Sequence, residues 1–74
     1  MDYIELDLHI TPNKPWVDIA IANLAELGFD SFVENESGVL AYIPRNHFNE
    51  SIVNEMFLDI MDPEVVYKSS IRII

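Results

Sequence analysis

The sequence predicts an α+β sandwich: a four-stranded antiparallel sheet with two helices packed on one of its faces. Three observations carry this. Tyr3 to Ile10 alternate strictly between apolar and polar side chains, the mark of a half-buried strand. Val17 to Leu27 and Phe48 to Met61 instead repeat apolar residues at helical spacing, so each presents one buried stripe. Strand-like segments precede, separate and follow these helices, in the order strand, helix, strand, strand, helix, strand.

In the first strand Ile4, Leu6, Leu8 and Ile10 point one way; Tyr3, Glu5, Asp7 and His9 point the other. Thr11-Pro12-Asn13-Lys14-Pro15 breaks it, and Asn13 is positioned to cap the following helix with Pro15 in its first turn. Val17, Ala20, Ile21, Leu24 and Leu27 form the helix stripe, and Gly28 ends it at a position that takes positive φ. Ser31 to Asn35 and Val39 to Ile43 read as a hairpin joined by Asn35-Glu36-Ser37-Gly38. Read as a type I turn with a glycine bulge, this loop pairs Asn35 with Val39, Val33 with Ala41 and Phe32 with Tyr42. Val33, Val39, Ala41 and Ile43 then face the core, and Phe32, Glu34, Leu40 and Tyr42 face away. A two-residue loop would shift this register by one.

Pro44 stops the third strand, and Asn46 or Asn49 caps the second helix, whose stripe runs from Phe48 through Ile52, Val53, Met56, Phe57 and Ile60 to Met61. Val65 to Ile74 is the last strand, with Tyr67, Ser69, Ile71 and Ile73 on one side and Lys68, Ser70 and Arg72 on the other. Both βαβ crossovers are expected to be right-handed, which gives the ferredoxin-like split βαβ arrangement and leaves one sheet face open.

The 74 residues suit one domain, 1–74, and half of them are hydrophobic, enough for a core. Thirteen acidic against four basic residues give a formal charge of -9. Such a domain repels nucleic-acid phosphate and anionic lipid and attracts a basic partner; acidity also serves plain solubility. Cysteine is absent, and no apolar run reaches membrane-spanning length. With no basic, apolar leader at Met1-Asp2-Tyr3, we expect a soluble cytoplasmic protein without a membrane partner. The chain stops inside a strand, so Ile74 is expected to be a boundary rather than a natural end.

Catalytic patterns are missing. Two glycines cannot build a phosphate-cradling loop, His9 and His47 lack metal-ligand spacing, and Asp59, Asp62 and Glu64 do not match a calcium loop. No serine has a nucleophile-elbow context. We expect no catalytic, cofactor-binding or metal-binding residue here. Met56 and Met61 read as core, and Trp16 as a cap over the core edge. The candidate site is the open sheet face, where Tyr3, Phe32, Leu40 and Tyr42 are expected together, rimmed by Glu5, Asp7 and Glu34. Lys68 and Arg72 on the neighbouring strand partly match Glu5 and Asp7. Apolar and aromatic groups on such a face suit contact with a protein, although scattered surface apolarity is also ordinary.

The opening DYIELDLHI, the segment LAELGFDSFVENESGVLAYIP and the closing YKSSIRI resemble the N-terminal domain of the ribosomal protein L11 methyltransferase family (PrmA). The likeness runs over essentially the whole chain and is densest from Leu24 to Pro44. It implies a ferredoxin-like domain that recognises a basic ribosomal protein, joined to a C-terminal catalytic domain that binds S-adenosylmethionine and methylates lysine side chains and the terminal amine. The glycine-rich cofactor loop, the methyltransferase domain and the Asn-Trp and Trp-Glu element after the last strand are not among these residues. The implied role is therefore substrate recognition, with the cofactor held elsewhere in a longer two-domain enzyme. A regulatory ligand-binding or dimerisation domain of the ACT type has the same element order, but its ligand loop after the first strand usually contains glycine, which Thr11 to Pro15 lacks.

Overall fold

Alternation along Tyr3–Thr11 (β1) makes this strand the centre of the fold. Ile4, Leu6, Leu8 and Ile10 are all buried in one row. The computed structural model describes residues 2–74, with β1 followed by α1 (Trp16–Glu26), β2 (Ser31–Glu34), β3 (Gly38–Pro44), a 3-10 turn (Arg45–His47), α2 (Glu50–Ile60) and β4 (Val66–Ile73). The four strands form one antiparallel sheet in the order β2-β3-β1-β4, as the ferredoxin-like α+β class requires.

The helices cover the row that β1 begins. Val17, Ala20 and Leu24 of α1 and Val53 and Phe57 of α2 are buried with Val39, Ala41 and Ile43 of β3. Phe57 and Tyr67 pack as a tilted aromatic pair with centroids 5.4 Å apart. The expected end of α1 is realised as a Schellman motif: Gly28 takes φ +107, its N–H donates to Ala25 O, and Phe29 N–H donates to Leu24 O. Of the two candidate caps for α2, Asn49 serves: its Oδ1 accepts from Ile52 N–H at 3.2 Å.

Two expectations are corrected. Asn13 does not cap α1 with its side chain. Its carbonyl accepts from Val17 N–H, while its Nδ2 donates to Glu36 O at 2.9 Å and ties the β1–α1 loop to the β2–β3 turn. The hairpin register is also one residue from that expected: Phe32 pairs with Ala41, Val33 with Leu40 and Glu34 with Val39. Asn35 and Gly38 exchange both backbone hydrogen bonds around a two-residue loop, Glu36-Ser37. Asn35 Oδ1 accepts from both Ser37 and Gly38 N–H, an Asx turn. Gly38 is used for close approach, not for a bulge. It pairs with His9, and a Cβ there would collide with the Leu8 carbonyl. Ser37 O meanwhile accepts from Ile10 N–H at 2.9 Å. The pairing with β1 sets the start of β3 and so fixes the loop length. Phe32 and Glu34 consequently leave the open face for the helix side, and Val33 replaces them.

Candidate protein-binding face

The uncovered face of the sheet is built from alternate residues of all four strands. β1 contributes Tyr3, Glu5, Asp7 and His9; β3 contributes Leu40 and Tyr42; β4 contributes Lys68, Ser70 and Arg72. Of the seven residues expected on this face, Tyr3, Glu5, Asp7, Leu40 and Tyr42 meet there. Phe32 instead packs against the core, and Glu34 lies exposed in the row of Val39. Val33, 53% exposed beside Leu40, is the residue that sequence reasoning missed. The alternative two-residue turn was the signal for it.

Glu5 is the hub. The residue is 9% exposed although it lies on the open side, because its neighbours close over it. Tyr42 Oη donates to Oε2 at 2.8 Å and Arg72 Nε donates to Oε1 at 2.6 Å, so both carboxylate oxygens are engaged from the two flanking strands. The Arg72 hydrogen bond, followed by that of Tyr42, holds the Glu5 carboxyl below its ordinary pKa, against the opposing effect of desolvation. The same hydrogen bond to Glu5, aided by desolvation, pushes the Tyr42 phenol up. At the sheet corner Tyr3 Oη donates to Asp30 Oδ2 at 3.1 Å, which raises the Tyr3 phenol in the same way. Asp7 pairs with His9 at 3.2 Å. The sequence-level match of β1 acids to β4 bases is thus realised between Glu5 and Arg72.

This face is the candidate contact surface of the domain. A shallow basin of about 480 Å³ is lined by Glu5, Asp7, Leu40, Ser70, Ile71 and Arg72. Of its two acids, Glu5 is engaged on both oxygens by Tyr42 and Arg72, and Asp7 lies beside His9. Among the described residues no group of three or more His, Asp and Glu side chains is placed to hold a metal ion. Among them, too, no helix is long and apolar enough to cross a membrane. Lys68 and Arg72 balance Glu5 and Asp7 here, so the strong acidity of the chain lies elsewhere.

Comparison with known proteins bears out the resemblance carried by the residues. The chain is 34% identical over 73 residues to a ribosomal protein L11 methyltransferase of Phocaeicola vulgatus, covering 97% of this chain and 26% of that protein. It is 36% identical over 70 residues to the proteins of the same name from Bacteroides thetaiotaomicron and Bacteroides fragilis, covering 90% of this chain and 25% of each. The chain therefore spans about a quarter of the length of the curated relatives it matches. No family model matches the chain, and no solved structure matches it.

Proposed function

We propose that this chain, akin to a quarter-length portion of ribosomal protein L11 methyltransferases, is the substrate-recognition domain at the N-terminal end of such an enzyme. In this reading the domain binds the basic ribosomal protein in the cytoplasm. Methyl transfer from S-adenosylmethionine takes place in a separate C-terminal catalytic domain. One observation carries the reading: identity of 34–36% to enzymes so named extends over nearly the whole of a chain whose charge is -9. Opposite net charge accelerates encounter, and holding the substrate near the active site raises the effective concentration of its target amines. The open sheet face, with Tyr3, Glu5, Asp7, Leu40 and Tyr42 joined by Val33, supplies protein-contact area for the ribosomal protein or for the enzyme's own catalytic domain.

Calorimetric titration of the 74-residue chain with purified ribosomal protein L11 tests the role. Saturable binding is expected, weakening as salt rises from about 0.05 M to about 0.3 M, because screening shortens the reach of surface charge to less than about 10 Å. Absence of binding at the lower salt overturns the proposal.

A further inference from the structure

The charge of the chain is segregated between its two layers. Residues 16–29 and 46–67, which contain both helices, hold seven carboxylates and no lysine or arginine, two of the acids in the first span and five in the second. The open sheet face instead sets Glu5 and Asp7 against Lys68 and Arg72. An attraction between this domain and a basic protein therefore originates on the helix side.

That side also carries a place to hold on to. Between the C-terminal end of α1 and the N-terminal end of α2 lies an apolar cleft of about 70 Å³. Leu27, Phe29, Ile43, Ile52 and Val53 line it, with His47 and Asn49 at its rim. This is space for part of one aliphatic side chain. Ile52 is 47% exposed, and from it Glu55 and Asp59 follow at i+3 and i+7, on the same side of α2. Leu58, 75% exposed, stands three residues on from Glu55. Across the cleft Glu26 adjoins Leu27 on α1.

Two of these acids stand where the fold does not want them. Glu26 is in the last turn of α1 and Asp59 in the last turn of α2, beside exposed carbonyl ends that favour cations, and neither helix has a base there. Local stability alone would select lysine at both positions. Their placement makes sense if the cation arrives from outside.

The geometry points to the helix layer, not the sheet, as the handle for the basic partner. A lysine- or arginine-rich segment of the substrate protein lies along α1 and α2, inserts one aliphatic side chain between Leu27 and Ile52, and sets its cations against Glu26, Glu55 and Asp59. Each helix of 11 residues is about 16 Å long, enough for a short helix or about five extended residues. The hydrocarbon stems of such side chains rest on Ile52 and Leu58 while their charges meet the carboxylates. The sheet face is then left to the remainder of the enzyme. This inference rests on the reading above that the partner is a basic protein.

The test compares three variants of the 74-residue chain with the unaltered chain, each titrated with ribosomal protein L11 across the salt series. The groove variant combines Glu26→Lys, Glu55→Lys and Asp59→Lys. A charge control with the same net change combines Glu34→Lys, Glu36→Lys and Glu64→Lys, outside the groove. The sheet variant combines Val33→Ala and Leu40→Ala. The groove variant is expected to weaken binding at least about tenfold beyond the charge control and to flatten the salt dependence, while the sheet variant binds like the unaltered chain. Its melting point should not fall below that of the unaltered chain, since two of the reversals suit helix C-termini, so lost binding cannot be ascribed to misfolding. If the groove variant binds as the charge control does, or the sheet variant alone loses affinity, the inference is overturned and the recognition role survives. If the unaltered chain does not bind, both are overturned.

Discussion

Exchanging Phe32 and Val33, one at a time, for alanine asks which face of β2 meets the core. Phe32 is half-buried and packs against the core cluster from an edge strand, whereas Val33 is 53% exposed on the opposite face. Truncating a fully buried phenylalanine costs about 3–5 kcal/mol; half-burial at the sheet edge reduces this to about 2 kcal/mol. The whole domain, at about 0.05–0.15 kcal/mol per residue, has only about 4–11 kcal/mol to lose. Phe32→Ala should therefore lower Tm by about 8–16 °C, at about 4–8 °C per kcal/mol for a domain of this size. Val33→Ala should cost well under about 1 kcal/mol. Urea unfolding of both variants, read as a change in midpoint at constant slope, is the assay. The opposite order, with Val33→Ala the more damaging, would refute the two-residue loop and everything built on the shifted register.

Gly38→Ala places a Cβ against the Leu8 carbonyl, a backbone atom that cannot swing aside; a loss of about 3 kcal/mol or more is expected by thermal circular dichroism, and a melting point within a few degrees of the unaltered chain would contradict the β1–β3 packing. The Glu5 carboxyl titrates below its unfolded value, so its contribution is fully present above about pH 4.3 and drains away as pH falls through the lower folded value. Arg72→Gln should remove part of that stability at neutral pH and shrink the acid-induced loss, read from unfolding midpoints between about pH 6 and pH 2; equal losses in both proteins would show that the ion pair is not the cause. With two glycines and no phosphate-cradling loop, the chain should give a flat calorimetric titration with S-adenosylmethionine, and saturable binding would overturn the assignment of the cofactor to another domain.

Local pattern determined much of this fold. The period of two in β1, the helical stripes of α1 and α2 and the alternation of β4 each emerge as the residues imply, because each reports on a single element and the core it faces. What escaped local reading was set by contacts between distant segments. Asn35-Glu36-Ser37-Gly38 accommodates two loop lengths, and the choice is made by β1, where His9 and Leu8 lie close against Gly38. Asn13 had the residue type of a helix cap, but the turn carbonyl of Glu36 claims its side chain. For the candidate face, five of seven residues followed from strand parity, and the two on β2 were misplaced by that one-residue shift. The distribution of charge was legible in part, since strand parity already set Lys68 and Arg72 beside Glu5 and Asp7. The structure adds which acid is paired: Arg72 lies opposite Glu5 and donates to it, whereas Asp7 lies opposite Ser70.

If the domain holds a ribosomal protein for an enzyme whose chemistry lies in another domain, the isolated chain competes for that substrate in trans. The 74-residue chain is added to a methylation assay of a full-length relative, such as the Bacteroides thetaiotaomicron protein, with ribosomal protein L11 as substrate. The expected result is inhibition that excess substrate relieves, so that apparent KM rises with the chain's concentration while kcat is unchanged. Methylation unaffected by the chain, at concentrations well above that of the substrate, would contradict the recognition role.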